Sequence, residues 1–172
     1  MQTRLANRSD AEAIRTIYND AVLTTTASLD LRARTVDEQL SWIDEHSGVY
    51  PAVVATTDEG AIAGFGSLSP YRQRFGYLTT VEDSVYIHEQ FRGQGAGRLL
   101  LDDLIGRGTA HGFTSIMAFI GSTNDTSIRL HEACGFTTVG TQHKVGRKFG
   151  HWLDVVILQR MIEANTGTGP AT

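Results

Sequence analysis

Between an apolar, β-branched stretch ending at His88 and a leucine-patterned stretch opening at Ala96 lies Arg92-Gly93-Gln94-Gly95-Ala96-Gly97-Arg98. A strand, a glycine turn and an immediate helix start make a cradle for phosphate. Bare N–H groups converge there, and the helix dipole favours negative charge. Gly93, Gly95 and Gly97 would let the backbone approach an anion that a Cβ would hold off. Gln94, Ala96 and Arg98 contribute mainly N–H groups, while Arg92 and Arg98 add positive charge. The chemistry this implies is capture of a pyrophosphate-bearing ligand. A dinucleotide fingerprint starting at Gly93 would need glycine at 98, where Arg98 stands, and the Gly-Lys-Ser/Thr ending of a Walker loop is absent. A tight strand-to-helix turn with no ligand is the competing reading.

The elements around the loop can be read from periodicity and caps. Thr3 to Ala6 is a short strand. Ser9 to Glu12 has the form of a capping box, and Ala11, Ile14, Ile17, Tyr18, Ala21 and Val22 follow at helical spacing. Thr35 to Glu38 is a second box, opening a helix through Leu40, Trp42 and Ile43. Tyr50–Thr56 and Ala61–Leu68 form a hairpin across Asp58-Glu59-Gly60. Val81–His88 is the strand before the glycine loop. Ala96–His111 is the helix after it, with Leu100, Leu101, Leu104 and Ile105 buried and Gly112 as its stop. Ser115–Ile120 is a buried strand. Asn124 caps a helix to Ala133 or Cys134, stopped by Gly135. Phe136–Val145 and Trp152–Arg160 are the last strands. This order predicts one α/β domain with a mixed sheet over residues 1–162. The segment 163–172, ending NTGTGPAT, is expected to be a disordered tail.

The loop, read as Arg92, two residues, Gly95, one residue, Gly97, resembles the acetyl-CoA loop of the GNAT superfamily of N-acetyltransferases. Asn124 and Leu130-His131-Glu132-Ala133-Cys134-Gly135-Phe136 resemble that superfamily's second cofactor-side motif. Ile17-Tyr18-Asn19 with Ala21-Val22, Thr80 to His88, and Lys148 to Asp154 are similar to the phosphinothricin and methionine-sulfone acetyltransferase subgroup. The resemblance implies a GNAT fold: an α/β (α+β) domain whose mixed, mostly antiparallel sheet is splayed at an acetyl-CoA cleft, with helices on both faces. It implies acetyl transfer to the α-amino group of a small amino-acid analogue, with acetyl-CoA as co-substrate. Acetylation of a peptide N-terminus or a lysine, and a non-catalytic acyl-CoA sensor, are the alternatives.

The resemblance also assigns roles. Val85, Tyr86 and Ile87 correspond to the strand segment that pairs with the pantetheine arm, and Asn124 to a cofactor hydrogen bond. Glu82 is the expected general base, since an ammonium must lose its proton before nitrogen attacks a thioester. The competing reading is a solvated acid beside Asp83. His131 stands where much of the superfamily has tyrosine as the acid for the leaving thiolate. An imidazole can serve as acid or relay, or can simply be packed. Arg72, Arg74, Phe75, Gly76 and Tyr77 are the expected acceptor loop, because arginine forks suit carboxylate, phosphinate or sulfone oxygens. Trp152 is expected to anchor the last strand, and Cys134 to be a small packed residue.

Bulk properties narrow the class. A net charge of −4 argues against a nucleic-acid binder. The single cysteine cannot form an internal disulfide, and the opening MQTRLANRSDAEAI lacks the apolar run of a signal peptide, so a cytoplasmic location is expected. No apolar run approaches membrane-spanning length. His46, His88, His111, His143 and His151 lack metal-ligand spacing, so no metal is expected. The subgroup resemblance implies a homodimer.

Overall fold

A computed structural model describes residues 1–162. The expected tail, 163–172, lies outside the described residues. In chain order the elements are β1 (Gln2–Leu5), α1 (Ala11–Thr24), α2 (Val36–Glu45), β2 (Ala52–Thr56), β3 (Ile62–Pro70) and β4 (Thr80–Ile87). Then follow α3 (Ala96–Ala110), β5 (Ser115–Gly121), α4 (Asp125–Ala133), β6 (Thr137–Lys148) and β7 (His151–Met161). The seven strands form one sheet in the order β1-β2-β3-β4-β5-β7-β6. Every neighbouring pair is antiparallel except β4 and β5.

That one parallel contact creates the functional feature of the fold. β4 and β5 pair only from Thr80↔Ser115 to Glu82↔Met117. Beyond Glu82, β4 stays bonded to β3 as far as Ile87, and beyond Met117, β5 stays bonded to β7 as far as Gly121. The sheet therefore opens between them, and main-chain groups of both strands face a gap.

Helices cover both faces because the strands alternate. On β4, Val81, Val85 and Ile87 belong to the core under α3, where Leu100, Leu101 and Leu104 are fully buried. Each such leucine contributes about 1.5–3 kcal/mol by leaving water. Tyr86, on the other face, packs with Phe65, Tyr18 and Ile14 under α1 and α2. Cys134 is buried in the α3 core.

The capping box at Thr35 forms as expected, with reciprocal bonds to Glu38. The one expected at Ser9–Glu12 does not. The box sits at Asn7–Asp10, where Asp10 Oδ2 accepts from the Asn7 amide at 2.9 Å. Arg4 grips both Asp10 oxygens, at 2.7 and 2.8 Å, so the chain makes a short 3-10 turn before α1 starts at Ala11. Trp152 does not anchor β7. It is 60% exposed, with Arg147 over its ring, because Leu153 and Val155 take the inward positions.

Two β3 glycines let β4 come close. A Cβ on Gly64 would sit 2.6 Å from the Tyr86 carbonyl oxygen and 2.7 Å from Ile87 Cδ1. The first obstacle is backbone and cannot rotate away. Gly64→Ala is expected to destabilise the fold by about 1–3 kcal/mol, read as a lower denaturant midpoint with an unchanged slope.

Candidate active site

The gap between β4 and β5 is a cavity of about 480 Å³. Its walls come from four places: Glu82 to Tyr86 on β4, Ala118 to Gly121 on β5, Thr26 to Leu29 after α1, and Gln142, Val145, Leu153 and Val155 from the β6–β7 hairpin. Asn124, Ser127 and His131 of α4 and its cap close one end. A groove of about 390 Å³ continues from it past Val85, Tyr86 and Ile87 to Arg92. Thr26, Ala27, Asn124 and Ser127 line both. The two form one channel running along β4 from Glu82 to the glycine loop.

At the loop end, the first hydrogen-bonded amide of α3 is Leu99, to the Gly95 carbonyl at 3.1 Å. Among the described residues no side chain caps this helix start, so the amides of Ala96, Gly97 and Arg98 are free for an anion. The three glycines are needed for two reasons. Gly93 and Gly95 have φ of +73° and +87°, with open space where a Cβ would lie. Gly97 instead lets α3 meet α4: its Cβ would fall 2.9 Å from Leu130 Cδ2. Gln94 Nε2 donates to the Gln90 carbonyl at 2.8 Å. The Arg98 guanidinium is committed to Asp102 and to the Ala133 carbonyl, so it ties α3 to the end of α4. Arg92 is the loop cation that lines the groove. Asn124 caps α4, its Oδ1 accepting from the Ser127 amide at 3.2 Å.

At the other end, burial and then the charge of Asp83 push the Glu82 carboxyl above its ordinary 4.5. Asp83 leaves the opposite face of β4 and meets His131, whose Nε2 lies 2.9 Å from Asp83 Oδ2. His131 Nδ1 lies 2.7 Å from the Ser127 carbonyl oxygen. Burial lowers the His131 pKa, but the hydrogen bond and charge of Asp83 and the Ser127 carbonyl outweigh it, and the net shift is upward from 6.5. Burial also raises the Tyr86 hydroxyl, which stays protonated.

The expected acceptor loop lies apart from this cavity. Phe75 is 86% exposed, and Arg72, Arg74 and Tyr77 surround a separate surface hollow. Arg72 stacks over Tyr71 and Tyr77, and Tyr71 stacks on Phe119, a cavity residue. Three contributions were not anticipated. The Thr26–Leu29 wall is held by Lys148, whose Nζ donates to the Ser28 carbonyl at 2.6 Å. A bulge in β6 carries Val145, and Asp154 fixes it by accepting from the Lys144 amide and His143. The third is Asp83 itself.

The sequence profile of the acetyltransferase (GNAT) family matches residues 12–136. The chain belongs to the GNAT acetyltransferase family. It is an acetyl-transferring enzyme with the GNAT fold. It is 37% identical over 163 residues to an L-methionine sulfoximine/L-methionine sulfone acetyltransferase of Salmonella typhimurium, covering 95% of each chain. It is 36% identical to a phosphinothricin N-acetyltransferase of Streptomyces viridochromogenes, covering 95% of this chain and 88% of that one. Among solved structures, a GNAT phosphinothricin acetyltransferase from Sinorhizobium meliloti in complex with acetyl-CoA superposes with a TM-score of 0.93. That pair is 37% identical, with 99% of this chain and 92% of the other covered. Among the described residues, no helix of this GNAT chain is long and apolar enough to cross a membrane.

Proposed function

We propose that the enzyme moves acetyl from acetyl-CoA to the α-amino group of a small amino-acid analogue of the phosphinothricin or methionine sulfone type. The observation that carries this reading is a half-buried carboxylate, Glu82, at the point where β4 and β5 part, joined by one channel to an uncapped helix start. Acetyl-CoA fits that channel. Its diphosphate meets the amides of residues 93 to 98 beside Arg92, and its pantetheine arm runs against the main chain of Val85, Tyr86 and Ile87 and past Asn124. The thioester then lies towards Glu82. Glu82 takes the ammonium proton, directly or through one water, and the freed amine attacks the thioester carbon. The carbon–sulfur bond breaks as the tetrahedral intermediate collapses, the nitrogen's second proton passes to the departing sulfur, and coenzyme A leaves as its thiol.

The apolar wall of Leu29, Val145, Leu153 and Val155 suits the methylene chain and terminal methyl of such an acceptor. Arg72 and Arg74, at the separate hollow beside Phe75, Gly76 and Tyr77, add positive charge outside the cavity that draws an anionic acceptor towards it. The exposed apolar side chains of the β6–β7 edge (Val139, Phe149 and Trp152) support a homodimer contact there. We place the enzyme in the cytoplasm, in keeping with its one buried cysteine.

The test is an acceptor screen that follows thiol release from acetyl-CoA. Methionine sulfone, methionine sulfoximine or phosphinothricin is expected to react. Reaction of a peptide lysine alone would overturn the acceptor class. Calorimetric binding of acetyl-CoA without transfer to any amine would favour a sensor.

A further inference from the structure

Two ionisable side chains meet out of solvent at the wall of the reaction cavity. The side chains of Asp83 and His131 are 1% and 4% exposed, and they bridge β4 to α4 at 2.9 Å. A carbonyl oxygen can only accept, so the 2.7 Å contact with Ser127 puts a proton on His131 Nδ1. One further proton must sit between Nε2 and Oδ2. Without it, a bare ring nitrogen would face a carboxylate with no solvent to separate them. The raised imidazole fits a proton held on Nε2. The other carboxylate oxygen, Asp83 Oδ1, is buried and has no partner among the described residues. His131 is thus all that offsets the Asp83 charge.

We propose that Asp83 is a positioning residue for acetyl transfer: it holds His131 as an imidazolium, and the neutral sum of the pair leaves Glu82 as the one net charge facing the acceptor's ammonium. The inference rests on reading Glu82 as the base. Glu82 and Asp83 are chain neighbours, so an unpaired Asp83 charge would act on Glu82 across a short distance. With both ring nitrogens engaged, His131 acts through Asp83 rather than by touching the leaving sulfur.

The surroundings support this assignment. β4 offers His131 only Asp83 and, beyond it, Glu82. Its own helix offers the Ser127 carbonyl, and Phe136 presents a ring at 5.0 Å. From α3, Arg98 is turned to Asp102 and the Ala133 carbonyl. The pair's proton is present below pH 6.5 and is lost as pH rises through the raised His131 value. Above that point Asp83 is an uncompensated buried charge, and turnover falls.

The experiment combines 15N NMR of the histidine rings with kinetics of Asp83→Asn. In the parent enzyme, both ring nitrogens of His131 should be protonated at neutral pH. In Asp83→Asn, Nδ1 alone should keep its proton, since the amide can donate to a bare Nε2. That variant should lose about tenfold in kcat, keep KM for acetyl-CoA within about twofold, and lose the alkaline fall in turnover. A singly protonated His131 in the parent at neutral pH would overturn the proposal. So would an Asp83→Asn enzyme with unchanged kcat and an unchanged alkaline limb. If Asp83→Asn does not fold, the parent titration decides alone. A fully active Glu82→Gln enzyme would remove the base yet leave the imidazolium signal intact, so the two failures are distinguishable.

Discussion

A Glu82→Gln enzyme is expected to bind acetyl-CoA as the parent does and to lose about 10²–10⁴-fold in kcat at neutral pH. Glutamine keeps the shape and polarity of the side chain but cannot take a proton. The channel from Val85 to Arg92 is untouched, so calorimetry with acetyl-CoA should give the parent's affinity. The pH profile separates this from a structural defect. Burial raises the Glu82 carboxyl, so the ascending limb of kcat/KM in the parent should lie above pH 4.5. Glu82→Gln should have no such limb. The stability sign runs the other way from activity. A carboxyl whose folded pKa is raised favours folding when protonated, and that contribution is lost as pH climbs through the raised value. Glutamine does not titrate, so the variant should be no less stable than the parent at neutral pH. A lower thermal midpoint together with lost turnover would mean that Glu82 is a packing residue.

The elements that frame the site were legible because each had a local signal. The leucine stripe of α3, the Thr35 capping box and the Gly112 stop all depend on residues within a few positions of one another. The box expected at Ser9–Glu12 does not form, because Arg4, on a different element, holds the Asp10 carboxylate that closes the box with Asn7 instead. Trp152 illustrates another limit. A large aromatic in a strand reads as an anchor, yet which face is inward depends on register, and Leu153 and Val155 take the cavity side.

The site itself was half legible. Arg92 at the head of the glycine loop, Glu82, Asn124 and His131 line one channel, as contiguous motifs can suggest. The partners that complete it are long-range. Lys148 reaches Ser28 across 120 residues, and His131 reaches Asp83 across 48. One signal was available for Asp83. Two acids in succession on a strand must point to opposite faces, so only one could face the acceptor and the other had to meet a helix. The acceptor loop shows the converse: a motif can sit in the right place in the chain while the Arg72 guanidinium stacks on Tyr71 and Tyr77 outside the cavity.

His131→Ala should cost about 3–5 kcal/mol of folding stability, far more than the loss of one ring contact. Removing the ring leaves Asp83 with neither oxygen satisfied, because Oδ1 has no partner among the described residues even in the parent. The charge then has no counter-ion, and desolvation without compensation dominates the energy. The double variant Asp83→Asn/His131→Ala removes the charge as well. It should therefore be more stable than His131→Ala alone, a non-additivity that denaturant titration can measure. The pH dependence follows from the raised imidazole. The pair's contribution is fully present below pH 6.5 and declines as pH rises through the folded value, so the gap between parent and His131→Ala should narrow towards alkaline pH. A deficit under about 1 kcal/mol, with no coupling to Asp83→Asn, would mean that the pair is a neutral hydrogen bond and carries no ionic stabilisation.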